Sequence, residues 1–298
     1  MIKKDGWFRI ALRWKGSVVP EVLPRSLMCG IFGVFIYILY LYQVPVSLPI
    51  LGGIIPNIVL GLLLVFRTNT AYERFWEGRK AWGNLVNTIR NLSRQILVAI
   101  AEDEPSDRQA KIAAVKLLPA FAIALKLHLR SQPVKAELAA NLSAEQFERL
   151  KTMNHPPLEI AYWLSRYLQD QAQREKLDRY QLNDMIQLLH QMVDAVGVCE
   201  RILRTPMPLA YSIHLKQLLM LYSFSLPFQM VEQLQWMTPP IVALISFTLL
   251  GIEEIGIQIE DPFGHDANDL PLDAICNTMM RNIEDLILVS SVDGLAIK

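Results

Sequence analysis

Between Arg25 and Arg67 there is no aspartate, glutamate, lysine or arginine, an uncharged stretch of 41 residues. A helix needs about 20 apolar residues to cross a bilayer core, so this stretch has room for two crossings. A soluble fold is excluded on the same ground, because the buried helices of a soluble protein keep one wet face. Charge is also scarce overall, 19% of residues against about 25% in an ordinary soluble domain. Lysines and arginines balance aspartates and glutamates, so net charge is zero and nothing favours nucleic acid as a partner. The three cysteines, Cys29, Cys199 and Cys276, lie far apart without CxxC spacing. That excludes a disulfide frame or a cysteine zinc site and leaves small, buried, reduced residues. GxSxG, P-loop, HExxH and GxGxxG motifs are all missing, and the five histidines stand isolated from one another along the chain. The sequence is therefore not read as an enzyme. A cleaved signal peptide does not fit either, since the basic leader runs to Arg25 and the apolar run behind it exceeds a signal's core.

What is present falls into five segments. Residues 1–25 interleave Lys3, Lys4, Arg9, Arg13, Lys15 and Arg25 with Trp7, Phe8, Ile10, Leu12 and Trp14, as expected of a segment lying at a membrane surface. Residues 26–66 form a transmembrane hairpin, with a first span from Ser26 to about Gln43 and a second from about Ile50 to Phe66. Pro45 and Pro49 break the helix between them. Residues 67–206 are charged and glycine-poor, a cytosolic helical region. Within it Ser143 and Gln146 match a capping box, and Ile112–Leu127 is short for a span, which favours a buried bundle helix. Residues 207–258 form a second hairpin, with apolar runs Leu218–Val231 and Ile241–Ile252. Residues 259–298 return to the cytosol and become helical from Pro271 to about Leu288. Nothing alternates at period two, so the class is all-α, with four transmembrane helices and a cytosolic bundle. Basic residues flank both outer ends of the first hairpin and precede the second, and they are absent from Glu232–Pro240. The positive-inside rule then places both hairpin tips outside and both termini in the cytoplasm of a multi-pass cell-membrane protein.

In the second span Gly52, Gly53 and Gly61 accompany Pro56 and Asn57, and small residues let helices approach closely in lipid. Ile58, Leu62 and Phe66 recur every four residues and share one helical face. That face either meets lipid or a neighbouring helix, or lines a pore if several copies surround an axis. Spacing alone leaves both open. A hydrophobic constriction of the second kind gates by dewetting.

Four motifs point to a family. Arg13-Trp14-Lys15-Gly16-Ser17 precedes the first span, and Phe66-Arg67-Thr68-Asn69-Thr70-Ala71-Tyr72-Glu73-Arg74-Phe75-Trp76, continuing through Gly78 to Gly83, follows the second. Pro206-Met207-Pro208-Leu209-Ala210-Tyr211 enters the third, and Asp261-Pro262-Phe263-Gly264 with Asp266, Asp269 and Leu270-Pro271-Leu272-Asp273 follows the fourth. Together, in this order, they resemble the bestrophins, prokaryotic members most, although Asn84–Leu182 carries only weak likeness. The resemblance implies a homopentameric channel for monovalent ions around a central pore, with Ile58, Leu62 and Phe66 as its apolar neck. It implies a second aperture at the cytosolic end near Leu182, with Gln181 and Asn183 as alternatives to it. It also maps the calcium clasp of animal members onto Gln258, Asp261, Asp266 and Asp269. Here His265, Ala267 and Asn268 interrupt the acids, so these residues read equally as caps of the following helix or partners of a basic residue. No cofactor is required. Permeant ions, lipid and further copies of the chain are the expected partners.

The sign of the ion stays open at this level. Animal bestrophins pass chloride and other anions, some prokaryotic relatives conduct cations such as sodium, and an Ile-Leu-Phe neck carries no formal charge. Two other classes compete. A secondary transporter would show internal repeats and intramembrane ionisable residues. A membrane-anchored scaffold would use the helical region to bind a partner.

Overall fold

A computed structural model describes residues 6–48 and 54–296. Lys3, Lys4 and the stretch from Pro49 to Gly53, with Ile50, Gly52 and Gly53 in it, lie outside the described residues. The described chain is helical, with α1 (Trp7–Ala11), α2 (Val19–Leu41), α3 (Ile54–Ala99), α4 (Pro105–Leu129), α5 (Ala144–Thr152), α6 (Pro156–Gln173), α7 (Arg179–Arg204), α8 (Leu209–Leu234), α9 (Thr238–Glu260) and α10 (Leu272–Ala296). No strand occurs among the described residues.

The helices run beyond the expected spans. Around the span expected from Ser26, α2 begins at Val19, with Pro20 in its first turn, where a missing amide proton is harmless. Past Phe66, where the second span is expected to end, α3 continues unbroken and reaches 46 residues in all. Arginine and glutamate are good helix formers, so the arrival of charge marks where lipid can no longer be tolerated and not where the helix stops.

The chain divides into two compact units, Met1–Phe75 with Pro206–Asp269, and Trp76–Thr205 with Leu270–Lys298. In the first, α2 packs along α9. Two glycines make that approach possible: a Cβ on Gly30 would stand 3.0 Å from Ala243 Cβ, and one on Gly33 would stand 3.1 Å from Pro239 Cα. Small residues drive helix association in lipid, and here they act on the first span. Gly61, where such an approach was sought, meets nothing within 4 Å inside the chain. Cys29, Leu226 and Val242 form one buried cluster, and Ile36, Val46 and Val231 another. The turn after α2 is fixed from α8, where the Phe228 carbonyl accepts the Leu48 amide at 2.8 Å and Glu232 accepts the Ser47 hydroxyl at 2.7 Å.

In the second unit α4 is the core, apolar nearly all round and packed by α6, α7 and α10. A helix hydrophobic on every side belongs inside protein or lipid, and this one is inside protein, with 78% of its most apolar window buried. Its charges are met at both ends. Asp107 is held by Lys176 and by Arg174 at 3.0 Å; Lys126 reaches Glu137 at 2.9 Å and Asp273 at 2.8 Å. The Ser143–Gln146 capping box starts α5 in reciprocal form.

Candidate pore-lining helix

The first turns of α3 have two unlike faces. Leu60, Leu64, Arg67 and Ala71 are buried, a stripe at helical spacing. Leu60 and Leu64 meet Leu215 and Leu219 of α8, with Tyr211, Tyr222 and Leu250 around them. The Tyr211 hydroxyl donates to the Leu63 carbonyl at 2.8 Å, fixing the rotation of α3 about its axis. Two residues along from each buried leucine the helix has turned about 200°, and there stand Ile58, Leu62 and Phe66. They are 54%, 52% and 62% exposed among the described residues. The three expected neck residues thus share a single uncovered apolar ridge. Burying it from water would contribute roughly 1.5–3 kcal/mol per side chain, so it requires lipid, another chain or a narrow pore as its surroundings.

Immediately below Phe66 the chain turns polar inside. Arg67 is only 3% exposed and its Nη2 meets Glu260 at 2.6 Å, while its Nη1 also contacts the Met207 sulfur. The other carboxylate oxygen of Glu260 accepts the Met207 amide at 2.8 Å, and its carbonyl accepts Arg74 Nε at 3.1 Å. A buried charge needs such a partner, since an unpaired one costs several kcal/mol. Here α3, α9 and the start of α8 are tied together at one point. Further along, Arg25 meets Glu254 at 3.1 Å.

The acidic segment after α9 is folded on itself. Asp269 accepts the Asp266 amide at 2.7 Å, Asp261 accepts the Phe263 amide at 3.2 Å, and Asn268 donates to Gln258 at 2.8 Å. A Cβ on Gly264 would fall 2.6 Å from Asp269 Oδ2 and push that carboxylate off the Asp266 amide. A Cβ on Gly16, at φ +81°, would stand 3.4 Å from Ala267 Cβ, so the first and last sequence motifs meet. Asp269 and Asp261 each accept an amide of this turn. The one place among the described residues where three ligand groups of histidine, cysteine or carboxylate type converge lies elsewhere, at His128, His155 and Glu200. Leu182 is half-buried in the first turn of α7, flanked by the exposed Gln181 and Asn183. The Asp178 side chain caps that helix by accepting the Tyr180 amide at 2.8 Å.

Spacing pointed to the ridge, but Arg67–Glu260 was not foreseen, since its partners are 193 residues apart. An arginine directly after an apolar span was the available signal. The histidines, isolated in sequence, are not all isolated in space.

The sequence matches the family described as bacterial/fungal bestrophin protein over residues 1–285. A voltage-dependent anion channel-forming protein of Nostoc is 59% identical over 97% of this chain and 94% of its own length. One so named from Synechocystis is 57% identical, over 94% and 92%. Among solved structures, a bestrophin homolog from Klebsiella pneumoniae carrying a tryptophan-to-alanine substitution superposes with a TM-score of 0.83 at 31% identity, covering 92% of this chain and 99% of that one.

Proposed function

The chain belongs to the bacterial and fungal bestrophin family, and from that premise we propose that it forms an anion channel in the cell membrane. In this reading five copies surround an axis and turn Ile58, Leu62 and Phe66 toward it. The observation that carries it is the ridge: three large apolar side chains left uncovered on a helix whose opposite stripe is packed and hydrogen-bonded into its own unit. Rings of such side chains close a pore by excluding water until the hole widens. Four spans are supplied by α2, the first part of α3, α8 and α9, with both termini and the second unit in the cytoplasm. The exposed Trp7, Phe8 and Trp14 lie in the interface. Leu182 forms the cytosolic aperture. Gln258, Asp261, Asp266 and Asp269 act as a turn and not as a calcium switch. Anion preference follows the names of the Nostoc and Synechocystis relatives.

The test is purified protein in planar bilayers under a KCl gradient. Unitary currents reversing toward the chloride equilibrium potential are expected. Reversal toward that of potassium overturns the anion assignment and keeps the channel. Intact oligomers without current steps overturn the channel and favour a scaffold.

A further inference from the structure

Three metal-binding side chains meet in the second unit from three separate elements. His128 lies in the last turn of α4, His155 is the N-cap of α6, and Glu200 stands near the end of α7. His128 Nε2 is 2.7 Å from Glu200 Oε1, and His155 Nε2 is 3.2 Å from the same oxygen. The two imidazoles lie beside each other, centroids 4.5 Å apart and planes tilted by 37°. One ligand atom from each residue falls within 4.8 Å of the others.

Around a tetrahedral zinc with bonds of about 2.0–2.1 Å, neighbouring ligand atoms stand roughly 3.3 Å apart. Seating an ion therefore asks the trio to open by a few tenths of an ångström. All three residues are half-buried, and a cavity of about 350 Å³ opens beside His128, lined also by Ser131, Gln132 and Asn154. It offers a path of entry and room for water at a fourth position. A carboxylate needing only an ion-pair partner already has one, since Arg204 Nη2 stands 3.4 Å away on a largely exposed side chain that can swing aside. Two imidazoles crowding one oxygen are more than that role requires.

His155 Nδ1 accepts the Leu158 amide at 3.2 Å, which puts the proton of the neutral ring on Nε2. Binding a metal through Nε2 moves that proton to Nδ1, where it would meet the Leu158 N–H head-on, so the ring must turn away from it. The amide keeps a partner when it does, because it also donates to the His155 carbonyl at 3.1 Å. We propose that His128, His155 and Glu200 form a binding site for a divalent transition metal, best matched by zinc(II). Two imidazole nitrogens select zinc over calcium or magnesium, which prefer all-oxygen shells. The ion ties the end of α4 to the start of α6 and to α7.

The test uses tag-free, full-length protein in detergent, stripped with chelator and titrated with zinc chloride by calorimetry. Cobalt(II) serves as an optical probe on a parallel sample. One zinc per chain at micromolar affinity or tighter is expected, with the strong visible absorption of four-coordinate cobalt. His155→Gln and Glu200→Gln should each weaken binding by at least about tenfold and abolish the zinc-induced rise in unfolding temperature. Unchanged affinity in the double variant overturns the site. So does substoichiometric zinc in the unaltered protein, or only weakly absorbing, octahedral cobalt; these two readouts decide the matter alone if the variants do not fold.

Discussion

Arg67 and Glu260, 193 positions apart, share a hydrogen bond of 2.6 Å directly beneath the last residue of the proposed neck. The arginine is almost fully enclosed. Removing one partner of a buried pair typically costs about 3–5 kcal/mol, more than replacing both. Glu260→Gln should therefore lower the unfolding temperature markedly, while the double substitution Arg67→Met with Glu260→Met should lose less than Glu260→Gln alone. Thermal denaturation monitored by size-exclusion fluorescence checks this, and a double variant that melts below Glu260→Gln would refute the coupling.

Replacing Ile58, Leu62 and Phe66 together by alanine widens the neck and weakens dewetting, so open probability should rise severalfold in single-channel records. Folding should be little affected, because none of the three is packed inside the chain. Unchanged open probability in a well-folded oligomer would count against the gate.

Calcium is expected to alter gating little. Asp261 and Asp269 already each accept an amide of the turn, from Phe263 and Asp266. A steep micromolar response that Asp266→Asn removes would reverse this conclusion.

In the second unit, hydrogen bonds from Arg130 and Lys126 hold the Asp273 carboxyl down at about 2. A depressed carboxylate contributes fully above its unfolded value, about 3.9, and that contribution disappears as pH falls toward 2. Asp273→Asn should thus lower the unfolding temperature at neutral pH, and the gap should close between about pH 4 and 2. Its side chain is 61% exposed, so solvent screening limits the effect to on the order of 1 kcal/mol or less. Circular dichroism melts across pH measure it.

Much of this was readable in the residues. The uncharged run, the prolines of the first turn and the four-residue spacing of Ile58, Leu62 and Phe66 located the hairpin and the ridge, because lipid and helix geometry act locally. Ile112–Leu127 was set apart from a span by its length, yet α4 around it has 25 residues and is apolar enough to cross a bilayer; its burial inside protein separates it, and two carboxylates from distant segments let it tolerate Lys126. What stayed hidden depends on partners far along the chain. Nothing near Gly30 or Gly33 announces Ala243 or Pro239 across the helix interface, and nothing near His128 announces His155 and Glu200. That α3 runs through Phe66 as one helix of 46 residues was not legible either, since the end of an apolar run marks a change of surroundings and carries no signal for whether the helix goes on.

All three cysteines are reduced and enclosed, and burial pushes the thiols of Cys199 and Cys276 up to about 12. Alkylating reagents need thiolate and access, so the natural protein gives them almost no target. A single cysteine introduced at Leu62 would then be labelled against a silent background, without first rebuilding the molecule to remove its own sulfhydryls. Its rate of modification from either side of the bilayer reports directly how far water penetrates.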